Sequence, residues 1–123
     1  MAEKKYDLED RLINFVLMID DIVEKLPDTR LGKYIANQMI RSGTSPALNY
    51  GEAMGAESLN DFVHKMKIIL KELRETFVCL KIIKRKLLIP PLEDISAAYK
   101  ENNELISIFV KSIQTAKRNK SKK

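Results

Sequence analysis

Apolar residues along this chain recur at alternating spacings of four and three in separate runs, the period of helices that pack along one stripe. Leu8, Leu12, Phe15, Ile19, Ile22 and Leu26 make the first run. Asp7 opens it as an N-cap, with Asp10 three residues on. Leu26-Pro27-Asp28 closes it, because the residue before a proline avoids helical geometry. The second run starts near Asp28 or Thr29 and passes Leu31, Tyr34, Ile35, Gln38 and Met39 before meeting Gly43 and Pro46. Two readings compete there. Either one helix kinks at Pro46, which lacks an N–H and crowds the Ser42 carbonyl, or a new helix begins with Ser45 as N-cap and Pro46 in first position. A single kinked helix to about Gly55 is the reading taken forward, with Gly51 and Gly55 weakening it further.

The third run is the clearest. Behind a Ser58-x-x-Asp61 cap, Phe62, Met66, Ile69, Leu73, Thr76, Leu80, Ile83 and Leu87 keep the spacing. A helix of that span is roughly 40–45 Å long at 1.5 Å per residue. Lys81, Lys84, Arg85 and Lys86 gather at its end, where positive charge suits the helix dipole. Pro90-Pro91 stops it, and Leu92, Ile95, Tyr99, Asn102, Ile106, Phe109 and Ile113 form the fourth run. The chain past Ala116 is expected to fray. Connections this short force neighbouring helices antiparallel. The expected fold is an all-α, up-down-up-down four-helix bundle over residues 1–116, with a basic tail at 117–123.

Two features exceed what a solitary bundle needs. Ile13, Val16, Leu17, Met18 and Val23 lie outside the first seam, so helix 1 is apolar on several sides, which predicts cover from another subunit. In addition, Ser45, Asn49 and Glu52 share one face of the second helix, and Lys65, Glu72 and Glu75 interrupt the third. Unpaired burial costs about 1–3 kcal/mol per polar group. With Arg41 and Lys71 these residues are expected to pair into a polar network that fixes helix register.

Composition narrows the class. The chain has 123 residues, one domain's worth, and only four Gly and four Pro, too few turn residues for an all-β fold. No apolar run approaches the roughly 18–20 residues that span a bilayer, and Met1 to Asp10 contains no signal-peptide core, so no membrane partner and a cytoplasmic location are expected. The net charge of +5 is localised. The last seven residues, KRNKSKK, hold five basic groups, and without them 17 Lys and Arg face 17 Asp and Glu. Attraction to polyanions is therefore expected to reside largely in Lys117, Arg118, Lys120, Lys122 and Lys123. A short basic end is equally well read as a solubilising terminus.

Catalytic signatures are missing. There is no Gly-rich phosphate loop. His64 is the single histidine and Cys79 the single cysteine, so His-pair and Cys-based metal sites, intrachain disulfides and di-iron chemistry have no ligand set. Cys79 reads as a small buried hydrophobe, and His64 as a residue of a solvated face or an interface. Glu52, Glu72 and Glu75 could form an acid–base cluster, but Lys65, Lys71, Arg41 and Asn49 are placed to pair them. No catalytic residue and no cofactor are expected.

The run Arg41-Ser42-Gly43-Thr44-Ser45, followed by Ala47-Leu48-Asn49-Tyr50-Gly51-Glu52-Ala53, resembles the four-helix-bundle proteins encoded by intervening sequences of bacterial large-subunit (23S) rRNA genes. Ser58, Asp61-Phe62, Lys65, Ile68, Leu70-Lys71-Glu72, Glu75, Leu80, Leu87-Leu88-Ile89 and Leu26-Pro27 extend the likeness over roughly Tyr6 to Ile113. Pro46 and Gly51 depart from the family's pattern. The resemblance implies a homopentamer with a central channel, and a relation to the accessory protein of diversity-generating retroelements, which works with a reverse transcriptase and nucleic acid. The functional expectation is a non-enzymatic oligomeric scaffold associating with RNA or a nucleic-acid enzyme. Phosphate contacts would come from Lys81, Lys84, Arg85, Lys86, Lys117, Arg118, Lys120, Lys122 and Lys123. The alternative is a protein–protein adaptor with no nucleic-acid role. No aromatic-interleaved recognition surface is evident in the sequence.

Overall fold

The computed structural model describes residues 7–90 and 93–121, and they form four helices. These are α1 (Leu8–Glu24), α2 (Arg30–Met54), α3 (Leu59–Lys86) and α4 (Glu93–Ser121). Each of the first three starts where a side-chain oxygen takes over an orphan backbone donor. Asp7 accepts from the Asp10 N–H, Thr29 Oγ1 from the Gly32 N–H at 3.0 Å, and Ser58 Oγ from the Asp61 N–H at 3.0 Å. Gly32 is required at its place, since a Cβ there would run into the Pro27 carbonyl.

α2 is one helix through Pro46, which lies buried inside it, so the chain does not restart at Ser45. α3 ends earlier than its apolar spacing suggests. Leu87 is the C-cap in left-handed conformation (φ 56°, ψ 44°), and the Leu88 N–H closes back on the Ile83 carbonyl. Leu87 is therefore not a core position but 66% exposed. α4 continues to Ser121, so residues 117–121 are helical rather than frayed.

Adjacent helices in sequence pack side by side, and α1 with α4 closes the ring through the slightest of these interfaces. Paired residues run in opposite directions along neighbours. Arg41 meets Glu75 while Glu52 meets Lys65, and Arg11 meets Glu101 while Lys25 meets Asp94. The bundle is antiparallel. Its core holds Leu12, Phe15, Ile19 and Ile22 of α1, Ile35 and Met39 of α2, Met66, Ile69, Leu73, Leu80 and Ile83 of α3, and Ile95, Leu105, Phe109 and Ile113 of α4. On α4 the stripe centres on Ala98 and Leu105, while Tyr99 and Ile106 flank it half-buried. Helix 1 needs less outside cover than its composition suggests. Val16, Met18 and Val23 are half-buried within the protomer, and only Ile13 and Leu17 of that set stay exposed.

Candidate nucleic-acid interface and polar network

The polar residues between α2 and α3 fall into three groups rather than one network. Arg41 donates to Gln38 at 2.6 Å and to Glu75 at 3.0 Å, and its second terminal nitrogen lies 3.7 Å from Glu72 Oε1. Lys71 reaches the other Glu72 oxygen at 3.4 Å. Asn49 donates to the Ser45 hydroxyl at 2.8 Å and to the Ser45 carbonyl, both on its own helix, so it does not tie α2 to α3. Lys65 donates to Glu52 at 2.8 Å. That bond is the main cause holding the Lys65 ammonium above its ordinary pKa. The three glutamates are thus each engaged by a cation, Glu72 and Glu75 by the same guanidinium.

Buried polar groups that set register are elsewhere. Ser42 and Thr76 share a hydrogen bond of 2.7 Å at the α2–α3 seam, and Thr76 Oγ1 also donates to the Glu72 carbonyl. A threonine hydroxyl has one proton, so Ser42 must be the donor to Thr76. With its amide turned so that both ends are satisfied, buried Asn102 of α4 donates to the Leu73 carbonyl and accepts from the Phe77 N–H, 3.1 Å each. These two links escaped the sequence reading because Ser and Thr are small enough to pass for core residues, and Asn102 sits in an apolar stripe. Among the described residues Glu72 is the one charged side chain that is nearly enclosed, 7% exposed, and its Oε1 receives no hydrogen bond there.

The cations are arranged differently from expectation. α1 carries five acidic residues against one basic, α3 eight basic against three acidic, and these helices stand diagonally across the bundle. The near-neutral body is therefore a sum of opposite faces, and positive charge is not confined to the tail. Asn60, His64, Lys67, Lys71, Arg74, Val78, Lys81 and Arg85 alternate spacings of four and three, one outward stripe of α3 about 37 Å long. Lys81 and Lys84 lie over the rings of Phe77 and Tyr99, at 4.8 and 4.2 Å from the centroids, and the rings themselves are 4.6 Å apart. An aromatic pair interleaved with basic groups is thus present between α3 and α4, contrary to the sequence expectation. Helical spacing could have revealed the stripe, which the apolar seam of the same helix obscured.

The nine candidate phosphate contacts split between the two ends of the bundle. Lys81, Lys84, Arg85 and Lys86 occupy the C-terminal end of α3. Lys117 and Arg118, exposed on α4, lie at the opposite end, where Lys117 shares a cleft with His64 and Lys67. Lys120 falls within α4, and Lys122 and Lys123 lie outside the described residues. Among the described residues no group of three or more His, Cys, Asp or Glu side chains could hold a metal ion, and no helix is long and apolar enough to cross a membrane.

The family model for the 23S rRNA-intervening sequence protein matches residues 4–111. The chain belongs to that family. A solved structure that it resembles is a protein with unknown function from the S23 ribosomal protein family of Bacteroides thetaiotaomicron, 28% identical, with a TM-score of 0.78. The match covers 87% of this chain and 98% of that one. No curated protein matches the chain. Within the Arg41–Ala53 motif read from the sequence, Arg41, Ser42 and Glu52 bond across the α2–α3 seam, while Asn49 bonds within α2.

Proposed function

We propose that this chain is a non-enzymatic, homo-oligomeric helical scaffold, pentameric as the family resemblance implies, that associates with RNA or with a nucleic-acid enzyme. The observation that carries the RNA half is the basic stripe of α3, with the lysine-covered Phe77–Tyr99 pair beside it. A straight row of cations on a rigid helix matches a phosphate backbone and reads no sequence. Titration with structured RNA at several salt concentrations tests it. Each phosphate neutralised on a duplex adds about 0.9 to the salt-dependence slope, and Lys67→Glu/Arg74→Glu/Lys81→Glu is expected to abolish binding. No binding of the parent chain at low salt overturns the reading.

Assembly is supported by Ile13 and Leu17 of α1 and Ile40 and Leu48 of α2, which remain exposed, Leu17 by 57% and Leu48 by 66%. The contact of Ile19 with Gly43 sets these helices side by side, so the four form one face. An apolar face on the order of a few hundred Å² marks an interaction surface. Light scattering after size exclusion is expected to give a multiple of 14.2 kDa, with Leu17→Glu/Leu48→Glu falling to one protomer. A parent mass of one protomer at micromolar concentration overturns assembly.

The second reading is a protein–protein adaptor. It is favoured by an apolar groove of about 760 Å³ between Pro27, Leu31, Tyr34, Leu87 and Leu88, edged by Arg30 and Lys86. It predicts that removing residues 117–123 and reversing the α3 stripe leave partner binding intact.

A further inference from the structure

We propose that the cleft between α3 and the end of α4 at His64, Lys67 and Lys117 is a binding site for a phosphate group. The cleft holds about 230 Å³ and is lined by Asn60, Val63, His64, Lys67 and Lys117. Water occupies about 30 Å³ per molecule, so the space takes a tetrahedral oxyanion with part of its hydration shell. Asn60, Val63, His64 and Lys67 stand on successive turns of α3, and Lys117 closes the cleft from the neighbouring helix. Two helices bring cationic groups together at one point.

Among the described residues neither Lys67, Lys117 nor His64 has a hydrogen bond or ion pair. Lys25, Lys33, Lys65 and Lys71 each hold a carboxylate. Of the acidic groups at this end, Glu52 holds Lys65 and Asp61 accepts from the Glu57 N–H, and no carboxylate among the described residues pairs with Lys67 or Lys117. Like charges gathered in a recess repel one another, and a bound anion converts that repulsion into attraction. Lysine ammonium groups act on phosphate as point charges and need no guanidinium fork to do so. The chemistry suits phosphate, either free or carried by a nucleic acid. The site does not depend on the RNA reading, though it lies at one end of the same stripe.

His64 is the single histidine, so its imidazole gives one resolved NMR signal in the full chain. The experiment is a titration with inorganic phosphate at fixed pH and constant ionic strength, balanced with chloride. A saturable shift of the His64 signal is expected, weakened at least tenfold in Lys67→Ala/Lys117→Ala and unchanged in Lys84→Ala/Arg85→Ala at the far end of α3. Lys67 and Lys117 are exposed, so helical content is expected to stay at the parent value. A drift that never saturates, or one identical in the Lys67→Ala/Lys117→Ala variant, overturns the site. An RNA oligonucleotide that displaces phosphate from His64 identifies a backbone phosphodiester as the natural occupant. RNA that binds without moving the His64 signal identifies free phosphate. Absence of RNA binding beside saturable phosphate binding refutes the scaffold's RNA role and leaves the phosphate site standing.

Discussion

Arg41→Ala tests what the polar seam between α2 and α3 does. The guanidinium serves Glu75 at 3.0 Å and Glu72 at 3.7 Å, but the two carboxylates differ in how much they need it. Glu75 has access to water; Glu72 is 7% exposed with an oxygen that no hydrogen bond satisfies. At an effective dielectric of 20, a charge pair near 4 Å is worth about 4 kcal/mol before desolvation is counted. Arg41 is 56% exposed, so most of that is screened and the pair falls between an exposed bridge and a buried one. Arg41→Ala should therefore cost about 2 kcal/mol, chiefly by stranding Glu72. Glu72→Leu alone should be neutral to slightly stabilising, because it removes a poorly paired buried charge and fills its volume. In the double variant the loss of Arg41 should cost only about 0.5 kcal/mol, the worth of its exposed bridge to Glu75. The assay is urea unfolding followed by helical circular dichroism, at several protein concentrations so that subunit dissociation separates from protomer stability. Additive costs in the double variant would refute the claim that Arg41 acts through Glu72.

Three further outcomes follow from particular contacts. Gly51 faces open space on the exposed side of α2, so Gly51→Ala should stabilise by about 0.5–1 kcal/mol, read as a higher melting temperature. Gly43→Ala should destabilise, since a Cβ there would stand 2.9 Å from the Ile19 side chain and push α1 from α2; thermal unfolding is the measurement, and an unchanged midpoint would contradict the packing. Burial pushes the Cys79 thiol above its ordinary pKa, with Glu75 adding to the shift and Arg41 opposing it. The thiol should resist alkylation at pH 8 until the bundle opens. Because the folded pKa is the higher one, this residue's contribution to stability is present below the unfolded thiol's pKa and is lost as pH rises through the folded value. Labelling rates that match a free thiol in the folded chain would contradict its burial.

The helices and caps were legible because each rests on local chemistry. Asp7, Ser58 and the four-three apolar runs carry their meaning within a few residues of sequence. Pro46 is a harder case, since the same residue suits a helix start or an interior position. Pro46 shares the buried stripe of α2 with Ile35, Met39 and Ala53, a tertiary setting that no propensity reports. Leu87 likewise continues an apolar period that the chain abandons by turning left-handed. The candidate site was less legible. Ser45, Asn49 and Glu52 share a face in the sequence, yet they flank the buried stripe that Ser42, Gly43 and Pro46 occupy. Partners such as Asn49 with Ser45, or Asn102 with the α3 backbone, depend on side-chain direction and on which helix lies adjacent. Arg41 and Glu75 meet across helices that the short α2–α3 connection sets side by side, so the sequence alone brings them within reach of each other.

Placement of charge and apolar surface together constrains how copies could meet. Ile13, Leu17, Ile40 and Leu48 lie on α1 and α2, and the basic stripe lies on α3 diagonally across from α1. Assembly through the apolar face then leaves the stripe outward on every copy, and repetition raises a weak phosphate contact by effective concentration without any new bond. The opposite arrangement is also physically sensible: acidic α1 of one copy against basic α3 of the next would consume the stripe in the ring itself. Charge reversal separates the two. With the stripe outward, Lys67→Glu/Arg74→Glu/Lys81→Glu loses polyanion binding while the mass by light scattering stays at the parent value. A fall in mass with that variant, restored by raising salt, would place α3 inside the subunit contact and take the RNA surface away.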